Sequence, residues 1–323
     1  MVFCLITPAF SATYYACIAG NINAANAWED AVGCDGTTYT ITGAFPAAGD
    51  ILEANGAAMT VNVDPGPNGK VHIKTTAGGG FAYATATNIT LNTDITAGTT
   101  ACLAITGSTG GGTILGNITG GSGSSTYGVN DSHTVVTVTY GASGSPITIA
   151  GGAGTNSHGV YMQGAGPSVV YANSTGNTGK GWNNAGNSTC TYTGNATAVS
   201  SSGVENGGAS GVLTMTGNCT GSGTANASGC TGAGAAAFII TGNLISGARG
   251  SGASGNIVWT PAGPGTTADN YIKIQSPTAG NYIYVSESLP IASVEDGYTY
   301  GFDGATYYTG TLAGGSGGGA WGF

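Results

Sequence analysis

Few side chains in this sequence could carry acid–base chemistry. Of 323 residues, 14 are Asp or Glu, 5 are Lys or Arg and 3 are His. Glycoside cleavage needs two carboxylates about 5–10 Å apart. Between Ser132 and Ala268, however, the only charged residues are Lys180, Glu205 and Arg249. Asp35, Asp50, Glu53, Asp64 and Asp94 lie nearer the N-terminus and could cluster if neighbouring segments stack. Asp50 after Gly49 and Asp64 before Pro65 read instead as turn residues. His72, His133 and His158 are far apart, and each reads as a hydrogen-bonded surface residue rather than a base. There is no serine elbow or Walker loop, and no dinucleotide fingerprint followed by a helix; the many G-x-G matches follow from composition. No catalytic residue and no cofactor is expected.

The seven cysteines, Cys4, Cys17, Cys34, Cys102, Cys190, Cys219 and Cys230, include no C-x-x-C pair and no histidine at zinc spacing, so no metal site is expected. Cys17 with Cys34 and Cys219 with Cys230 are close enough in sequence to form disulfides, and free thiols packed in a core fit the same spacing. The start, Val2-Phe3-Cys4-Leu5-Ile6 and then Pro8-Ala9-Phe10-Ser11-Ala12, reads in two ways. It is either the end of a secretory signal cut near Ser11 or Ala12, without the positive n-region, or a buried first strand.

The elements that would position these groups follow from composition. The chain has 62 glycines and a charged fraction of 6%, against a usual glycine share of about 7%. Glycine costs about 1 kcal/mol relative to alanine in a helix interior, and the Lys/Glu pairs that solubilise helices are scarce. With 41% hydrophobic residues the chain is not ordinarily disordered. Its surface must be wetted by Thr, Ser and Asn. Glycine is not at every third position, which excludes collagen. A net charge of −9 disfavours nucleic acid and anionic membranes, and no apolar run approaches the ~20 residues of a membrane span.

Period-two alternation marks short strands at Met59-Thr60-Val61-Asn62-Val63, Val71-His72-Ile73-Lys74, Ile89-Thr90-Leu91-Asn92 and Cys102-Leu103-Ala104-Ile105, with a helical turn around Trp28 before them. A Gly-Asn step then recurs at 176, 194, 217 and 242, each with Thr close behind or before it. A second marker recurs as Gly128-Val129, Gly159-Val160, Gly181-Trp182 and Gly203-Val204. A period of about 20–25 residues with strands and no helical pattern predicts an all-β parallel β-helix or β-solenoid. Its coils would stack about 4.8 Å apart around a narrow core, with Gly-Asn supplying positive-φ corners. A β-sandwich with glycine-rich hairpins is the alternative.

The predicted organisation is an N-terminal segment and cap at 1–43, a β-solenoid at 44–265, a small, more aromatic β module at 266–313 and a Gly-rich tail at 314–323. Thr38/Thr40/Thr42, Thr137/Thr139, Thr189/Thr191/Thr193 and Thr214/Thr216 place hydroxyls on strand faces, as an ice-binding surface would, although Thr is also simply a strand former that wets a surface. Tyr127, Tyr161, Tyr171 and Trp182 are the candidates for a binding ridge, because aromatic faces stack on sugars and interface cores favour Tyr and Trp. The other reading has them capping the core.

Two stretches resemble known families. The lead from Trp28 through Pro46-Ala47-Ala48-Gly49-Asp50 to Asn55-Gly56 and Val61-Asn62-Val63 is similar to the opening of β-helical phage and bacterial surface proteins. The ending, Pro290-Ile291-Ala292-Ser293-Val294-Glu295-Asp296-Gly297-Tyr298-Thr299-Tyr300-Gly301 and Tyr308-Thr309-Gly310-Thr311-Leu312, resembles that of many tailed-phage virion proteins. The resemblance implies a non-enzymatic extracellular component of a phage virion, a fibre, spike or decoration protein that forms a homo-oligomer. Its partners would be capsid or tail subunits, or a host-surface glycan. A secreted bacterial adhesin or surface-layer protein is the second expectation; a glycan depolymerase or an ice-binding protein ranks below both.

Overall fold

The computed structural model describes residues 11–42, 45–66, 71–75, 81–84, 89–98, 103–106, 111–208 and 211–221. Beyond them it describes the backbone of strands at 230–232, 237–241, 244–245, 253–254, 257–260, 271–275, 284–285, 298–302, 307–309 and 319–320. The start of the chain and most of the 266–323 segment therefore lie outside the described residues. Within them there is no helix, and short parallel strands stack coil upon coil into a β-solenoid.

Each central coil has three faces. In one coil these are Trp182–Asn184, Thr189–Thr193 and Ala196–Ala198; in the next they are Val204–Asn206, Val212–Thr216 and Cys219–Thr220. The pairing is parallel and in register, Trp182 on Val204, Tyr192 on Met215 and Ala196 on Cys219. The first face alone is a 10-stranded sheet, nine steps of about 4.8 Å or about 43 Å of stacked backbone. The second and third faces join through the bent strand Ser168–Gly176. Strands hold register while corners vary in length, which is why the sequence repeat is irregular. An additional turn closed by the Ala142–Ser145 bridge lengthens one coil.

The core is a set of columns. Val129, Val160, Trp182 and Val204 stack inward on the first face. Ile114, Tyr140, Val170, Tyr192 and Met215 stack on the second. Burial of each such side chain stabilises by about 1.5–3 kcal/mol before the entropy of ordering is counted.

Outward columns are polar, and one accounts for the Gly-Asn steps at 194 and 217; Gly176 instead pairs with Ala198 at the far end of its strand, and the step at 242 lies outside the described residues. Asp94, Asn117, Thr148, Asn173, Asn195 and Asn218 follow one another on the third face. The Asn195 side-chain oxygen accepts from the Asn218 N–H at 3.1 Å, Asn173 from Asn195 at 3.1 Å, Asn117 from Thr148 at 2.9 Å and Asp94 from Asn117 at 2.7 Å. Four of the column's five steps are held in this way. Two residues on, Thr96, Thr119, Thr175, Thr197 and Thr220 form a parallel threonine column, broken by Ala150. The recurring Asn-x-Thr spacing is a consequence of period-two alternation on this face.

At the N-terminal end the stack is closed by antiparallel strands. Thr13–Ala16 pairs in parallel with Ile51–Glu53 and antiparallel with Trp28–Glu29, which pairs with Thr38–Tyr39. Trp28 is in a strand, not the helical turn its neighbourhood suggested: its buried indole donates to the Ile22 carbonyl at 2.7 Å, and the strand's ladder bonds are with both neighbours. Such a cap removes an exposed pairing edge. Cys17 and Cys34 form a disulfide across it. By contrast Cys219 is a free, buried thiol on the third face, 3.2 Å from the Met215 sulfur, while Cys230 belongs to a first-face strand paired with Val204. The pairing of Cys219 with Cys230 is thereby corrected: nearness in sequence does not outweigh assignment to different faces.

Closing a loop of 17 residues is worth about 3 kcal/mol in the chain-entropy account. Cys34→Ala is therefore expected to speed hydrogen exchange at residues 13–16 and 28–29 while leaving the central coils unchanged. Equal protection in the two proteins would show that the cap is held by its strands alone.

Beyond the solenoid, Tyr271–Gln275 pairs in parallel with Tyr298–Phe302, which pairs antiparallel with Tyr307–Thr309.

Candidate functional site

The Gly-Val marker sits at the corner that enters the first face. A Cβ at Gly128, Gly159, Gly181 or Gly203 would lie 2.5–2.7 Å from backbone atoms of adjacent strands, so only glycine lets the chain turn there. The residue before each glycine and the residue two after it then lie on the outward side of the coil, some partly exposed and others, His158, Asn183 and Ser202, covered by their neighbours. Because coils stack in register, this builds two adjacent columns. One runs Tyr127, His158, Lys180; the other runs Asn130, Tyr161, Asn183, Glu205.

These columns touch. Tyr127 and His158 stack with ring centroids 5.3 Å apart and planes at 15°, His158 and Tyr161 at 5.2 Å and 25°, and Tyr127 and Tyr161 at 4.6 Å and 40°. Gln163 donates its amide to Asn130 at 2.9 Å. Lys180 and Glu205 form an ion pair at 3.1 Å, both partly exposed. Their ring faces are largely used against one another, so this ridge presents ring edges, amides and one ion pair.

His158 is buried, and its burial, helped by the nearby Lys180 charge, lowers its pKa to about 4. It is therefore neutral at physiological pH. Its Nδ1 accepts from the Lys180 backbone N–H at 2.8 Å, which places the proton on Nε2. The buried Asn183 amide is 3.5 Å from Nε2, and its oxygen has no other protein partner. With the amide turned so that its oxygen faces Nε2–H, the imidazole donor gains an acceptor.

The sequence candidates separate in space. Tyr127 and Tyr161 come together; Tyr171 is half-buried on the second face, beside Thr193 of the next coil. Trp182 is fully buried between Val160 and Val204, which removes it from any ridge. It follows Gly181 at the marker's inward position, where valine otherwise stands. His158 was missed as a ridge member, yet its place before Gly159, matching Tyr127 before Gly128, was the available signal.

A second constellation lies inside. Asp131, His133 and Tyr140 are all buried. Tyr140 donates its hydroxyl to Asp131 Oδ2, His133 meets Asp131 Oδ1 through Nδ1 and the Pro167 carbonyl through Nε2 at 3.0 Å, and the His133 backbone N–H reaches Asp131 at 3.0 Å. The surface placement expected for His133 and His158 is thus corrected: both are buried, because coil stacking encloses corner residues. A carbonyl can only accept, so His133 Nε2 carries a proton, and Asp131 Oδ1 and His133 Nδ1 share another between them. The set is a buried, hydrogen-bonded Tyr–Asp–His network. Burial alone would lower the His133 pKa, but the hydrogen bond and charge of Asp131, with the Pro167 carbonyl, raise it above 6.5. Burial first, then the Asp131 charge, pushes the Tyr140 hydroxyl well above its ordinary value.

Two of the N-terminal acids, Asp50 and Asp64, each accept one backbone N–H within a local turn and one from a distant segment. Asp50 takes the Ala12 N–H at 3.0 Å and the Ala47 N–H at 2.8 Å; Asp64 takes the Gly66 N–H at 3.1 Å and the Asn92 N–H at 3.3 Å. Among the described residues no group of three or more His, Cys, Asp or Glu side chains is placed to hold a metal ion, and no helix is long and apolar enough to cross a membrane. No family model, no curated protein and no solved structure matches this chain.

Proposed function

We propose that this chain is a non-enzymatic extracellular structural and binding protein, a fibre, spike or decoration component of a tailed-phage virion that works as an oligomer. The observation that carries the reading is the continuous parallel ladder, ten strands long on one face, with inward apolar columns and outward Thr and Asn columns. Every coil is hydrogen-bonded to those above and below, so bending must break rows of bonds together. That is a stiff, protease-resistant rod, and its lateral columns are a repetitive surface for a neighbouring subunit or a glycan. The resemblance of its two ends to phage proteins supports the virion setting.

Mass spectrometry of purified virions tests this directly: peptides of the chain should copurify at constant ratio to the capsid protein, and their absence from particles would overturn the proposal. The second reading, a secreted adhesin or surface-layer protein, draws support from the Cys17–Cys34 disulfide, since such bonds persist in oxidising compartments. Recovery of the chain from the surface of cells that make no particles would favour it.

A further inference from the structure

The ridge on the first face differs in kind from the Thr and Asn columns of the third. Over successive coils it gathers two half-buried phenols, a neutral imidazole, paired amides and an ion pair. Three physical features decide what it suits. Lys180 is matched by Glu205 and His158 carries no charge, so the ridge has no net charge with which to hold an ion. Its groups are held by the strand ladder and by ring contacts of 4.6–5.3 Å, so a ligand would not have to freeze them. From Asn130 to Glu205 the outer column advances three coils, about 14 Å at about 4.8 Å each, with Asn130, Tyr161 and Glu205 partly exposed and Asn183 buried between them.

We propose that this ridge is a saccharide-binding site that takes an uncharged oligosaccharide lying along the stack of coils. Each hydroxyl of a neutral sugar both donates and accepts, which matches the Asn130–Gln163 amides and the Glu205 and Lys180 side chains, while the edges of Tyr127 and Tyr161 supply apolar contact for ring C–H groups. An acidic sugar finds no unpaired cation here, because Lys180 is already matched by Glu205. The site deepens the binding role proposed above and rests on it.

The test titrates the full chain with maltohexaose, cellohexaose, laminarihexaose and β-galactohexaose, following tyrosine fluorescence and calorimetric heat, with hexagalacturonate as the charged comparison. Saturable binding of at least one neutral hexamer is expected. Tyr161→Ala should weaken it at least about tenfold with the melting midpoint retained, and Tyr171→Ala, on another face, should not change it. Should Tyr161→Ala fail to fold, Glu205→Gln, at a partly exposed position, is held to a measurable loss of affinity. No binding of any neutral hexamer, affinity unchanged in the ridge variant, or tighter binding of hexagalacturonate would each overturn the site. Virion mass spectrometry gives its answer regardless, so loss of the site and loss of the virion role are separate results.

Discussion

Asp131→Ala is expected to destabilise the protein by about 3–5 kcal/mol, the usual cost of removing one partner from a buried pair of ionisable groups. The carboxyl group has three protein partners: the Tyr140 hydroxyl, His133 Nδ1 and the His133 backbone N–H. Its removal strands an imidazole at 1% exposure and a phenol at 0%. Neither can turn to water without opening the coil. Chemical denaturation of wild type and variant measures the effect, and a loss under about 1 kcal/mol would mean that the network contributes packing and little else. Asp131→Asn keeps the shape and some hydrogen bonding, so it should cost less and should abolish the alkaline limb of the pH dependence described next, leaving the His158 limb in place.

Two histidines give stability opposite slopes. The His133 pKa is raised on folding, so its contribution is complete below the ordinary 6.5 and is lost as pH rises from there through the raised value. His158 is lowered to about 4, so between pH 4 and 6.5 the unfolded chain binds a proton that the folded chain refuses, and stability falls with falling pH. At 1.36 kcal/mol per unit the second effect is worth about 3 kcal/mol. Denaturation midpoints measured from pH 4 to 9 should therefore peak near 6.5 as far as these groups govern them. His133→Gln should flatten the alkaline limb alone, and His158→Gln the acid limb alone. A peak that does not respond to either variant would assign the pH dependence to other groups.

Local rules carried the fold a long way. Period-two alternation located Met59, Val61, Val71 and Ile73 on the inward side, and the Gly-Asn steps at 194 and 217 and the Gly-Val steps are corners of the coil, whereas Gly176 is not. What sequence spacing could not deliver was which corner residues end up side by side, since that depends on stacking register between segments 22 to 31 positions apart. Trp182 illustrates the loss: an aromatic in a polar context suggests a surface, but its register with Val160 and Val204 sends it inward. Asp131 illustrates the converse. Alternation with Val129 already placed it on the inward side, and a charged residue at an inward position signals a buried partner. The partners, His133 and Tyr140, are only two and nine residues away. The cap was least legible, because its antiparallel pairing breaks the repeat on which the rest of the reading depends.

Gly217→Ala should be as damaging as the Asp131 change, for a different reason. Gly217 has φ +141°, a backbone conformation that side-chain-bearing residues rarely adopt, and a Cβ there would lie 1.9 Å from the Gly194 carbonyl oxygen of the preceding coil. Gly194 repeats the arrangement one coil earlier, with φ +137° and the Ala172 carbonyl oxygen at 2.0 Å. The corner cannot move aside alone, because the Gly194 N–H donates to the Thr216 carbonyl at 2.9 Å and the Ala196 N–H to the Asn218 carbonyl at 2.9 Å. A methyl group must therefore push two coils apart and break their shared bonds. We expect a loss of at least about 3 kcal/mol, combining backbone strain of about 1–2 kcal/mol with the broken contacts. Gly144→Ala separates the two contributions: it has φ +78° but nothing within 4 Å of its Cβ, so it should show the strain alone. If denaturation gave the two variants the same stability, close approach between coils would not be what requires glycine at the Gly-Asn corner. The recurrence of that dipeptide would then rest on the glycine backbone conformation alone.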